Sequence, residues 1–220
     1  MLSAESLASI ESEGRRLAAY VRRDPARPVP QYPGWSLADL VVHTASIHGR
    51  TTEIVTNLPT ERISAPGLPE GADEVDWYES TLEEMLAALR AADPTAPCWA
   101  FGPDPCVGFW ETRMVIETGV HRWDAAGAHG EEDRLTDHVA RSGLAEFGDM
   151  WLARLGAVQP LRVTATDMDE TWVYGAGDPS ASIDATASDL YLRLVSRPSP
   201  VALPDDWAAA VDGLAPPSKG

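Results

Sequence analysis

Two proline clusters set the limits of what the first half of this chain can fold into. "DPARPVPQYPG" (24–34) and "DPTAPCWAFGPDPC" (93–106) carry four prolines each. A proline ring locks φ and removes the backbone N–H, so no helix runs through either stretch. Around them, apolar residues recur at helical spacing. Leu7, Ile10, Leu17, Ala18 and Val21 mark a first helix over "SAESLASIESEGRRLAAYVRR", which must stop at the first cluster. Ser36, with Asp39 three residues on, is a capping-box-like opening for a second helix carrying Leu40, Val41, Ile47 and Val55. "LPTERISAPGLPEGAD" is loop by composition. A third helix runs from about Asp76 to Ala92 through Trp77, Leu82, Met85, Leu86 and Leu89. A fourth begins near Gly108 and carries Phe109, Met114, Ile116, Val120 and Trp123 to about Ala128. Four helices of this size joined by loops predict a bundle, a common setting for metal sites.

After "HGEED" the pattern changes. "TDHVARSGLAEFGDMWLARL" reads as a fifth helix. "LRVTATD", "ETWVYGAG" and "ASIDAT" are short β-branched or alternating runs separated by "MDE" and "GDPS", which is hairpin-like punctuation. "SDLYLRLVSR" returns to helix, and "APPSKG" reads as a frayed tail. The expected class is α+β: a helical domain over 1–130 and a smaller α+β domain over 131–220.

The chain has 34 acidic and 17 basic residues, a formal charge of −17. Such a surface repels nucleic acid and anionic membranes, so neither is an expected partner. No stretch approaches the roughly 18–20 apolar residues of a membrane span. The opening "MLSAESLASIESEGRRL" lacks the basic, apolar, small-residue order of a signal peptide, and the expected location is cytoplasmic. Two cysteines, Cys98 and Cys106, are too few for a disulfide framework. They read as small buried or idle thiols. A monomer is the expected state.

"ETGVHRWD" (117–124) holds the residues most able to do chemistry. Glu117 and His121 are four apart, hence on one helical face about 5–6 Å apart at Cβ. That face could hold a metal ion, a catalytic acid and base, or an internally paired stretch of helix, and the spacing alone does not choose. A catalytic zinc site needs three protein ligands and one open position. His43, two turns into the second helix beside Val41, Val42 and Ile47, is the best-placed third ligand. His48 falls on another face; it, His129 and His138 read as structural or solvated.

At this point the motifs resemble a known family. "GWSLADLVVHTASIHGR" resembles the W-S-x-x-D-L-V-x-H opening of the mycothiol-dependent maleylpyruvate isomerase family, part of the DinB-like metalloenzyme group. "CWAFGPDPCVGFWETRMVIETGVHRWDAAGAHG" resembles its second signature, in which a loop leads into F-W-x-x-R-x-x-x-E-x-x-x-H-R-W-D. "ASDLYLRLVSRP" resembles the helix closing its C-terminal domain. The resemblance implies a DinB-like four-helix bundle followed by a small α+β domain, with His43, Glu117 and His121 as a zinc triad and water or a thiolate in the fourth position. It places Arg197 where the family carries an arginine linked to activity. The tryptophan-glycine that more often precedes that arginine is replaced here by Val195 and Ser196.

Arg113 precedes Glu117 by four residues and Arg50 follows His43 by seven, so both can aim at the metal face and receive carboxylates. The plainer readings are an Arg113–Glu117 ion pair and a surface Arg50. Arg50 and Trp110 are the candidates for contact with a bound cofactor, although Trp110, like Trp35, Trp77, Trp99 and Trp123, also reads as core or cleft wall. Asp124 and Asp39 lie within reach of the ligand imidazoles' second nitrogens; for Asp39 the capping box competes. The leading expectation is an enzyme that activates a low-molecular-weight thiol, mycothiol by the resemblance, on zinc or another divalent metal, for attack on a small electrophile. Isomerisation and S-transfer both fit. A non-catalytic metal-binding or stress-response protein and a zinc hydrolase are the alternatives.

Overall fold

A computed structural model of the chain describes residues 3–214. The described residues form eight helices and a three-stranded sheet, divided into two compact units that meet in sequence between Asp133 and Arg134. The segment "APPSKG" lies outside the described residues.

The first unit contains α1 (Ala4–Arg23), α2 (Leu37–Asn57), α3 (Glu74–Ala91) and α4 (Val107–Ala128). Each of the first three opens on a side-chain cap: Ser3 accepts from Ser6 N, Asp73 from Val75 and Asp76 N, and Ser36 with Asp39 completes a reciprocal capping box. For α4 the second proline cluster supplies the partners. Val107 N donates to Ala96 O and Gly108 N to Pro94 O.

Side-chain pairs give the helix directions. α1 meets α4 through Ser3–Glu111, Glu13–Arg122 and Tyr20–His129, at sequence separations of 108 and 109; a constant separation means parallel helices. α1 meets α3 through Glu11–Arg90, Arg15–Glu83 and Arg22–Asp76, where one number rises as the other falls, so these run antiparallel. α2 meets α4 through His43–Glu117 and Arg50–Trp110, again antiparallel. The order is therefore up-down-down-up. Adjacent parallel helices α2 and α3 need a return strand of chain, which residues 58–73 provide. Leu17, Leu40, Ile54, Leu86, Met114 and Ile116 are fully buried between the four helices.

One buried cluster in this unit is ionic. The Arg122 guanidinium is fully enclosed and donates through Nε to Glu13 and through Nη1 to Asp133 Oδ2 at 2.6 Å. Arg16 Nη2 reaches the same Asp133 oxygen at 2.7 Å, and Trp123 Nε1 donates to Asp133 O at 2.8 Å. This network ties α1, α4 and the chain beyond α4 together.

The second unit contains α5 (Asp137–Met150), α6 (Leu152–Leu155), β1 (Leu161–Ala165), β2 (Glu170–Tyr174), β3 (Ala181–Ala185), α7 (Ala187–Leu194) and α8 (Asp205–Asp212). Two expectations are corrected here, and one element that the sequence reading leaves unassigned is added. The single fifth helix is two, interrupted at Trp151, which has φ −112° and follows the poor helix formers Gly148 and Asp149. β1 and β2 form the expected hairpin, but β3 does not pair back on β2. It joins β1 in parallel, giving the order β2-β1-β3. β1 is the central strand because Leu161, Val163 and Ala165 are all fully buried, whereas β2 leaves Val173 exposed. Lastly, α8 is a helix for which Trp207 and Val211 are the only buried residues, too few for a visible period.

α5 and α7 approach closely where Gly143 faces Tyr191. A Cβ on Gly143 would lie 2.4 Å from the Tyr191 ring. Gly143→Ala must separate the two helices, and the expected loss is about 1–3 kcal/mol. A urea titration should show an earlier midpoint for the second unit; an unchanged midpoint would mean the contact yields freely.

α7 ends in a Schellman motif. Arg197 N donates to Leu192 O at 2.8 Å and Ser196 N to Arg193 O at 3.2 Å, with Ser196 at φ 60°. This left-handed position favours glycine, the residue the resembling family more often shows there. The Ser196 hydroxyl offsets the strain by donating to Val211 O at 2.5 Å.

Candidate metal centre

The antiparallel crossing of α2 and α4 brings His43 opposite Glu117 and His121. One ligand atom from each residue lies within 4.8 Å of the others. His43 Nε2 is 3.4 Å and His121 Nε2 3.0 Å from the same Glu117 oxygen, Oε1. The two imidazoles stand nearly perpendicular, centroids 5.4 Å apart. Two imidazole nitrogens and a carboxylate oxygen converging from two helices are a donor set that a divalent cation such as zinc fits, with a coordination position left over.

The electrostatics follow from the same contacts. His121 is buried, which alone lowers its pKa, but carboxylates flank both ring nitrogens: Glu117 at Nε2 and Asp124 Oδ2 at Nδ1, 3.1 Å away. Together they raise it to about 9. Burial pushes the Glu117 carboxyl up, and His121, His43 and Arg113 reverse this and hold it well below the usual range. With no cation bound, the two carboxylates favour the protonated form of the His121 ring.

Asp124 is fully buried and orients His121 as a carboxylate on a ligand imidazole does. Asp39 makes the capping box, its Oδ2 accepting from Ser36 N at 2.8 Å. Arg113 Nη2 sits 3.3 Å from Glu117 Oε2, a largely buried ion pair on the carboxylate oxygen turned away from the histidines. His48 is enclosed behind the triad, Nε2 3.0 Å from Thr118 Oγ1, and burial drops its pKa to about 3, so the ring is neutral and structural. His129 Nε2 meets Tyr20 O and His138 is half-buried in α5. Cys98 is buried and Cys106 half-buried, both free thiols. Arg197 belongs to the second unit, its Nη1 donating to Val195 O at 2.9 Å.

The surface reading of Arg50 is corrected: only 8% of the residue is exposed. Its guanidinium lies 5.7 Å from the Phe101 ring centre and 5.8 Å from that of Trp110. Trp35 and Trp110 are buried; Trp77, Trp99 and Trp123 are half-buried. Sequence reasoning missed Tyr32. The first proline cluster is more than a helix stop, because it folds on itself through Val29–Trp35, Tyr32–Val29 and Trp35–Tyr32 backbone bonds. This turn stacks Tyr32 on Trp35 and sets them 5.9 Å from His121 and 5.3 Å from His43 respectively. One aromatic near the end of the proline cluster and a second immediately after it, directly before a histidine helix, were the available signal.

Residues 7–126, more than half of the chain, match the family model described as the mycothiol maleylpyruvate isomerase N-terminal domain. The chain belongs to that family. Among solved structures, this family member is similar to the crystal structure of a histidine-to-alanine mutant of the mycothiol-dependent maleylpyruvate isomerase, with a TM-score of 0.69 at 13% identity over 89% of each chain. The crystal structure of the unsubstituted isomerase gives a TM-score of 0.66 at 13% identity, over 89% of this chain and 90% of the other. At that identity the likeness is one of fold. No curated protein sequence matches the chain. Among the described residues no helix is long and apolar enough to cross a membrane.

Proposed function

We propose that this family member uses His43, Glu117 and His121 to hold a divalent metal, zinc by its donor set, and thereby activates a low-molecular-weight thiol, mycothiol, for attack on an electrophilic small molecule. The observation that carries the reading is the convergence of three potential ligand atoms within 4.8 Å of one another, inside the region that the family model matches. A bound divalent cation supplies one thing, a thiol deprotonated at neutral pH. The chain's own residues supply the rest. Glu117 is kept ionised, Asp124 holds His121 by Nδ1, and Arg113 fixes the second Glu117 oxygen, so the donors are oriented before any ligand arrives. Tyr32 and Trp35 wall the histidines with apolar surface. Arg113 and Arg197 are the proposed activity-linked cations, Arg113 by its position and Arg197 on the resemblance alone.

The reaction class is thiol addition. Sulfur forms a bond to one carbon of an activated cis double bond, and the π electrons move toward the conjugated carbonyl. Rotation about the resulting single bond and departure of sulfur return the thiol and leave the trans isomer. Retention of the adduct with uptake of a proton makes a transferase instead. A water-using hydrolase would need a free general base beside the donors, and Glu117 and Asp124 are both committed to His121.

Metal analysis of the wild type and His43→Ala, followed by incubation with mycothiol and maleylpyruvate, tests the proposal. Stoichiometric zinc in the wild type and its loss in the mutant are expected, with cis–trans conversion at constant thiol marking an isomerase and thiol consumption a transferase. Zinc retained by His43→Ala would remove the triad. Metal bound with no thiol chemistry would leave a binding protein.

A further inference from the structure

Arg50 is a buried cation that makes no ion pair among the described residues; the Glu117 carboxylate favours its charge only without direct contact. It is more than nine-tenths enclosed, and its Nε has no hydrogen-bond partner. Its contacts are the faces of Phe101 and Trp110. The acidic residue one turn along α2, Glu53, accepts instead from Asn57 at 2.7 Å, and Glu117 is shared among His43, His121 and Arg113. Burial first, and then the exposed Arg62, depress its pKa, and Glu117 offsets them only in part. An enclosed charge with no ion-pair partner is strongly unfavourable, and a second arginine that repels it is unusual in a chain of net −17.

The surroundings are built closely. Pro66 lies against Gly49, where a Cβ would come within 2.6 Å of its ring, so the loop carrying Arg62 is seated directly on α2 beside Arg50. Trp99 N donates to Pro59 O at 2.6 Å, which joins that loop to the second proline cluster carrying Phe101. Trp110 Nε1 bonds Trp99 O at 2.8 Å and fixes the inner wall. Phe101 is 41% exposed, so the outer cover of the guanidinium faces solvent. A guanidinium flanked on its face by aromatic rings keeps its in-plane N–H edge for a planar anion.

Resting on the thiol-enzyme reading above, we infer that Arg50, with Arg62 at the rim and Phe101 and Trp110 as walls, is the receptor for a carboxylate on the small-molecule substrate. The seven-residue step from His43 to Arg50 is about 10 Å along α2, and side chains tilt toward the helix N-terminus, bringing the arginine head back toward the triad. That span suits one small molecule with a carboxylate a few bonds from the carbon that sulfur attacks. The site therefore selects anionic electrophiles over neutral ones of the same shape.

The test uses zinc-loaded full-length protein with maleate as probe and its neutral diamide as control, read by tryptophan fluorescence and by melting temperature. Maleate is expected to bind and the diamide not. Arg50→Met should lose at least tenfold in maleate affinity yet melt about 2–4 °C higher without ligand, because an unpartnered buried charge has gone. Arg50→Lys, which keeps the charge without the bidentate fork, should also lose affinity. His43→Ala should still bind maleate, so failure of the metal reading would not be mistaken for failure of this one. Maleate affinity unchanged in both Arg50 variants, or a lower melting temperature for Arg50→Met, overturns the inference.

Discussion

Zinc affinity of the metal-free protein is expected to rise about a hundredfold between pH 6 and pH 8. A metal ligand must be deprotonated, so binding releases whatever proton the site holds. His121 is held at a pKa of about 9 by the carboxylates of Glu117 and Asp124. Below that value the metal displaces a proton, and apparent affinity changes about tenfold for each pH unit. The sign is toward tighter binding as pH rises, levelling near pH 9. Asp124→Asn should produce two separable changes. Loss of the carboxylate behind His121 weakens zinc about 10–100-fold at high pH, the usual effect of removing such a partner. It also lowers the His121 pKa, so the plateau is reached at a lower pH. Competition titrations with a chelating dye across the pH range measure both, and a flat profile between pH 6 and 8 would contradict the proton-for-metal exchange.

The second large effect is on stability. Arg122→Met is expected to destabilise the first unit by about 3–5 kcal/mol, because it takes from the buried Glu13 carboxylate its enclosed partner, leaving it a 3.5 Å contact with the more exposed Arg16, and removes one of the cations on Asp133. Chemical denaturation followed by far-UV circular dichroism gives the difference. Glu13→Gln should also be costly, and the double change Glu13→Gln with Arg122→Met should cost less than the sum of the two, since each removes the other's buried partner. Additive losses would show that the two side chains do not act as a pair.

The helices of the first unit were legible because their signals are local: caps at Ser36, apolar periodicity in α1 to α4, and proline breaks between them. The same held for Glu117 and His121, which one helix turn brings together. His43 was reachable because it sits on a buried face at a readable distance from a cap. Arg122 was not assigned, since the pairing with Glu13 spans 109 residues and depends on α1 and α4 running in parallel. Arg50 was misread for a related reason. Its burial comes from two loops closing over α2, and loop closure leaves no period in sequence. The sheet order failed at β3 because turn residues announce a reversal of direction but not which neighbour the strand will choose.

The up-down-down-up order has a bearing on how the protein is made. α1 leaves the ribosome before α4, and its partner in the ionic cluster is encoded more than 100 residues later. Until α4 and Asp133 emerge, Glu13 faces an incomplete interior, and the two halves of the triad are on separate segments of nascent chain. Non-local closure of this kind slows folding. The first unit is therefore expected to close in a single late step, acquiring its ionic cluster and its proposed metal ligands together rather than helix by helix.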